Sequence, residues 1–129
     1  MTNRSGFTLI STLVAIILLA VGLSALAGAS ANTIKMQTLA QNRTNAIALA
    51  RSYMETVRTR DPWTIVSESP VQLNADGSAS NSGAFIRTLT VAVTRQDLLR
   101  IDVVVAYPRA TQPVTITTSF FRGNTLVSP

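Results

Sequence analysis

Hydrophobic and polar positions fall into three regimes along the chain. From Phe7 to Ala31 the sequence reads FTLISTLVAIILLAVGLSALAGASA, and the whole stretch Ser5–Ile34 carries no charge. A bilayer core is crossed by about 20 mostly apolar residues in a helix, so this run predicts a transmembrane helix. Its Ser, Thr and Gly residues are tolerable there because a helix satisfies its own backbone. Small residues (Gly22, Ser24, Ala25, Ala27, Gly28, Ala29) crowd the second half. Gly22 and Gly28 each weaken a helix by about 1 kcal/mol relative to Ala, but small residues let helices approach closely in lipid.

The second regime has helical period. Met36, Ala40, Ile47, Ala50, Met54 and Val57 follow three- and four-residue spacing, which places them on one stripe. Arg43 takes the missing position, Leu39, Ala46 and Tyr53 flank the stripe, and Lys35, Gln41, Asn42, Asn45 and Ser52 lie opposite. Glu55 with Arg58 or Thr59 forms an ordinary exposed arrangement worth a few tenths of a kcal/mol. The helix is expected to run to about Arg60 and to stop at Asp61-Pro62, because Pro disfavours helical geometry in the residue before it.

The third regime has period two. Phe85–Thr94, Leu99–Tyr107 and Val114–Phe121 alternate apolar with polar positions, Ile86 and Arg87 being exceptions in the first. β-branched enrichment and turn-rich connections at 95–98 and 108–113 predict an antiparallel meander. Residues 63–84 are less regular. Ile65, Val66, Val71 and Leu73 suit a short strand or a packed loop, and Asp76-Gly77 suits a tight turn within NADGSASNSG. Lacking an alternating acidic series, that stretch reads as a solvated loop and not as a calcium loop. The tail Gly123–Pro129 is expected to fray. The resulting fold class is α+β: a long N-terminal helix, transmembrane in its first half, packed on a small C-terminal antiparallel β-sheet.

Composition narrows the function classes. The 129 residues suit about one domain. Charged residues make up 13%, against about 25% in typical soluble domains. With no Cys and no His, disulfides, thiol catalysis, His-based triads and the common zinc sites are excluded. No glycine pattern for nucleotides appears, and the scattered acids show no paired acid–base spacing. The chain therefore reads as a non-enzyme with no cofactor and no metal. The net charge is +5, yet the basic residues are spread singly. The clustered footprint of a nucleic-acid binder is missing.

Alternatives exist for the first segment. Ala29-Ser30-Ala31 fits the small-x-small site of a secretory signal peptide, with Arg4 as its basic end, but the apolar run exceeds the usual 7–15 residues. Lys35, Arg43 and Arg51 after the run, against Arg4 before it, oppose a cytoplasmic N-terminus by simple charge counting. A translocated domain escapes that count.

Arg-Ser-Gly-Phe-Thr-Leu-Ile at 4–10, followed by about 20 apolar residues, resembles the leader and first helix of type IV pilins and type II secretion pseudopilins. Gln41–Trp63 and residues 99–122 are similar to the Ala-rich helix and closing strands of minor pilins of the PilV type and of minor pseudopilin I. The resemblance implies a pilin-like fold. It also implies a leader at 1–6, cleavage by a prepilin peptidase between Gly6 and Phe7, and N-methylation of Phe7. The segments are then 7–31 for the transmembrane and filament-core helix, 32–60 for its amphipathic continuation, and 61–129 for a β-sheet head.

Partners so implied are other pilins or pseudopilins, the peptidase/methyltransferase and the inner membrane. The chain would be single-pass there with its N-terminus cytoplasmic, and then part of an extracellular or periplasmic filament. One departure stands out. The family usually has Glu directly after GFTLI, where it pairs with a neighbour's N-terminal amine; here the residue is Ser11. Ser cannot neutralise an ammonium, which suggests a tip or initiation role. The expectation is a minor pilin. The alternatives are a minor pseudopilin, and an exported soluble or DNA- or surface-binding protein.

Overall fold

A computed structural model of the chain describes residues 4–123. It forms two compact units, residues 1–38 and 39–129. One helix, α1 (Arg4–Arg58), supplies the first unit and opens the second. Four strands follow: β1 (Glu68–Leu73), β2 (Phe85–Arg95), β3 (Leu98–Ala106) and β4 (Val114–Phe121).

In the first unit every residue from Thr8 to Thr38 is exposed. Leu9, Ile10, Leu13, Ile17, Leu19 and Leu23 are all more than half open to solvent. Helices of globular domains show an apolar stripe, whereas a helix apolar all round needs lipid or other helices about it. The 20 residues from Phe7 to Leu26 rise about 30 Å, the thickness of a bilayer core. Hydroxyls within the run are satisfied locally. Thr12 donates to the Thr8 carbonyl at 2.7 Å, Ser24 to Ala20 at 2.8 Å and Thr33 to Ala29 at 3.0 Å. A polar group bonded to its own backbone costs little in an apolar medium.

In the second unit the sheet is a meander in the order β1-β2-β3-β4, antiparallel throughout. Ala46, Ala50, Met54 and Val57 of α1 pack with Ile65, Leu73, Phe85, Leu89, Leu99, Ile101, Val103 and Val105 in one core. Alternation is cleanest in β3, where Leu99, Ile101, Val103 and Val105 are buried while Arg100 is exposed and Asp102 half-exposed.

The helix stripe lies slightly differently from its expected course. Its buried line starts at Ala46; Met36 is 72% exposed and Ala40 is also open. Asn42 and Asn45, expected on the far face, are half-buried. Asn42 precedes Ala46 by four residues, and Asn45 precedes Leu49 by four, so both continue rows that lead into the core. Periodicity sets the angle between side chains, and only the sheet decides where the covered line begins.

The helix stops where expected. Thr59 and Arg60 donate to the carbonyls of Thr56 and Val57 in a tightened last turn. The Asp61 carboxylate then accepts from the Trp63 amide at 3.0 Å, and its carbonyl from the Thr64 amide at 2.9 Å. Residues 63–84 resolve into buried Ile65, the strand β1 and a turn at Asp76-Gly77. Gly77 has φ +88°, and its amide bonds the Asn74 carbonyl at 3.0 Å. That left-handed conformation is what glycine supplies at this turn. From residue 124 onward the tail expected to fray lies outside the described residues.

Candidate functional site

The N-terminal segment is the first candidate. α1 already starts at Arg4, so Gly6 lies in its first turn and is exposed. Residues 1–3 of the expected leader and the side chain of Phe7 lie outside the described residues. Ser11 is exposed and, unlike Thr12, makes no hydrogen bond among the described residues. Gly22 and Gly28 meet open space: a methyl group added at either would touch nothing within 4 Å. Both leave a shallow place on the helix surface where a second helix could lie close. Among the described residues one helix is long and apolar enough to cross a membrane.

The second candidate is a polar cluster in the head. Glu68 at the start of β1 accepts from the Tyr53 hydroxyl and, at 2.6 Å, from Arg60 Nη1. Arg60 Nη2 also donates to the Tyr53 oxygen at 3.2 Å. Arg87 of β2 lies 3.8 Å from Glu68, and its guanidinium sits 3.5 Å from the centre of the Tyr53 ring. A helix, the segment after it and two strands are thus tied at one carboxylate.

Burial alone would raise the Glu68 carboxyl, but hydrogen bonds from Tyr53 and Arg60, with the charges of Arg60 and Arg87, hold it below its ordinary value. Burial and the bond to Glu68 raise the Tyr53 hydroxyl. The bond to Glu68 raises Arg60 as well. Nothing here resembles acid–base machinery: the carboxylate is firmly ionised and its donors firmly protonated. The cluster is a structural clasp.

Sequence reasoning missed Glu68, whose partners lie 8, 15 and 19 residues away. A signal was present in Arg87, a charge at an inward-facing position of an otherwise alternating strand. Its side chain is only 17% exposed.

Elsewhere the head is plain. Glu55 and Arg58 form the expected exposed pair at 3.0 Å. Asp76 accepts from the Ser78 hydroxyl and amide, which lowers its carboxyl. Among the described residues no three His, Cys, Asp or Glu side chains gather as a metal site would require. A groove of about 520 Å³ runs between Leu39, Arg43 and Ile47 of α1 and the β3–β4 connection at Tyr107–Thr115.

Comparison with known proteins gives meaning to the first candidate. Residues 1–27 match the family model of the prokaryotic N-terminal methylation motif. No curated protein and no solved structure matches the chain. The chain therefore carries a type IV pilin-like N-terminal signal, continued by an apolar helix and followed by an α+β head.

Proposed function

We propose that this chain is a minor pilin, a structural and assembly subunit of a type IV pilus. The observation that carries the reading is the methylation motif at residues 1–27, which leads into a helix exposed on every side. The chain sits in the bacterial inner membrane as a single-pass protein, N-terminus cytoplasmic. A prepilin peptidase cuts after Gly6, and the new amine on Phe7 is methylated. The apolar helix then leaves lipid for the equally apolar surroundings of neighbouring pilin helices, with Gly22 and Gly28 at close approaches. Membrane insertion and filament packing ask the same thing of this surface, which is why one uncharged helix serves both.

Ser11 sets the place in the fibre. An ammonium inside a low-dielectric helix bundle is costly unless it is neutralised. A subunit with Glu here neutralises the amine of a neighbour; Ser11 offers only a hydroxyl. A subunit that begins the filament at its tip has no earlier neighbour to neutralise, so a tip or initiation role suits Ser11. PilV-type minor pilins are the class that the Gln41–Trp63 helix resembles.

Sheared filaments analysed by quantitative mass spectrometry test the reading. The chain should be present at low, near-constant copy number per fibre, independent of fibre length. Deleting its gene should reduce the number of fibres. Intact piliation with loss of exoprotein secretion would move the chain to the type II secretion pseudopilins, which share the resemblance.

A further inference from the structure

One groove of the head combines two cations with apolar walls. It runs between the stretch of α1 from Leu39 to Ile47 and the connection between β3 and β4, and it holds about 520 Å³. Arg43 of the helix and Arg109 of the connection both line it, and both are exposed. Leu39 and Ile47 form the helix wall. Tyr107 and Val114 form the sheet wall and pack against the core beneath. No Asp or Glu lines the groove. A cleft lined by one sign of charge concentrates groups of the opposite sign.

Arg109 occupies a position that suits it poorly. The Ala110 amide donates to the Tyr107 carbonyl at 3.3 Å, which closes a turn with Pro108 at its first corner and Arg109 at its second. Arg109 has φ +63°. Pro followed by a positive φ marks a type II turn, whose second corner ordinarily goes to Gly or Asn. The Cβ of Arg is crowded in that left-handed conformation. Gly would serve the turn better, so turn formation does not account for a long cation there. Backbone strain of this kind clusters at sites that bind. What Arg109 adds is a second guanidinium to the groove that Arg43 already lines.

We propose that this groove docks an acidic segment of another protein, with carboxylates at Arg43 and Arg109 and an aliphatic side chain between them against Leu39, Ile47 and Val114. A guanidinium fork matches a carboxylate with two parallel hydrogen bonds. The apolar walls supply contact area that a free small anion would leave unused. The proposal is independent of the filament reading.

The chain's own acids argue against a second copy as the occupant. The sequence has six Asp and Glu residues. Glu55 pairs with Arg58, and Glu68 accepts from Tyr53 and Arg60. Asp61 accepts from the Trp63 amide, Asp76 from Ser78, and Asp102 from Arg100 and Thr117. That leaves Asp97, a single carboxylate in the turn between β2 and β3, for two cations. Two chains of net charge +5 also repel each other.

Lysine substitution with carbodiimide coupling tests the proposal in native membranes from cells making the full chain. Arg43→Lys and Arg109→Lys keep the charge and supply an amine that the reagent joins to a carboxylate in contact with it. Arg95→Lys, exposed at the end of β2, is the control. A docked carboxylate reacts at high effective concentration, so both groove positions should give a product linked to Asp or Glu of one other protein, about 10-fold stronger than the control. Peptide sequencing of the product should find an aliphatic residue beside the linked acid. Adding Arg109→Gly to Arg43→Lys should weaken the product about 5-fold, because one charged contact is lost. Thermal unfolding of that variant in detergent should come no earlier, because Gly suits the turn. A product no stronger than the control, links only to this chain's own carboxylates (its C-terminus included), or a yield that Arg109→Gly leaves unchanged would overturn the proposal. Absence of the chain from sheared filaments would remove the filament reading and leave this docking site standing.

Discussion

Replacing Glu68 by Ala tests the clasp that ties helix to sheet. The substitution removes the acceptor for the Tyr53 hydroxyl and for Arg60 Nη1, and it leaves Arg87 stacked on Tyr53 with no carboxylate nearby. Hydrogen bonds to charged groups contribute about 1.5–3 kcal/mol each. Here the Glu68 and Arg60 side chains are 29% and 38% exposed, so water recovers part of each loss. The two bonds together then amount to about 2 kcal/mol, and stranding the Arg87 guanidinium adds up to about 1 kcal/mol.

The expected destabilisation of the head is therefore about 2–3 kcal/mol, comparable with removing a core side chain. Trp63 is the only tryptophan and lies beside Arg122, whose guanidinium is 5.2 Å from its ring. Its fluorescence reports unfolding of the head by denaturant in the detergent-solubilised full chain. Adding Arg87→Met to Glu68→Ala should restore about 1 kcal/mol, because the stranded charge is gone. A loss below about 0.5 kcal/mol for Glu68→Ala, the usual range for an unimportant surface change, would refute the clasp.

Further outcomes follow from the same geometry. The Glu68 carboxyl is held below its ordinary value of 4.5, so its contribution is complete above that value and is lost as pH falls through the lowered one. Glu68→Gln should flatten the acid limb of a stability–pH profile. Tyr53 is shifted upward from 10.0; its contribution is complete below pH 10 and disappears as pH rises through the raised value, and Tyr53→Phe should abolish that alkaline dependence in the same titration. A methyl group at Gly83 would sit 2.4 Å from the Leu73 backbone, so Gly83→Ala should cost about 1–3 kcal/mol in the denaturant assay. Ser11→Glu should let the subunit enter along the shaft, seen as a copy number that grows with fibre length. An unchanged copy number would sink the tip assignment.

Legibility in the sequence tracked how local the determining physics is. The apolar helix follows from one continuous uncharged run, and its end at Asp61-Pro62 and the three long strands follow from local patterns, the strands lying within a residue or two of their expected bounds. β1 was harder to read because Pro70 and the bulge beside it break alternation. Glu68 was invisible because all its partners arrive through tertiary folding. Met36 shows the opposite failure: it has the right spacing for the buried stripe, but its side chain is 72% exposed. The methylation signal was readable as a short motif at the correct end of an apolar helix, and the match at residues 1–27 supports it. β4 reads as an ordinary strand in sequence; only the strand order shows that, among the described residues, it is the last strand of the sheet.

Cleavage between Gly6 and Phe7 separates pilin-type processing from every alternative for the first segment. Intact mass and N-terminal peptide sequencing of the protein from native membranes test it most directly. The expected result is a chain that begins at N-methylated Phe7. A chain that begins at Asn32 would mean that residues 1–31 are a signal peptide, and an uncut chain beginning at Met1 would mean a simple anchor. Either result would contradict it.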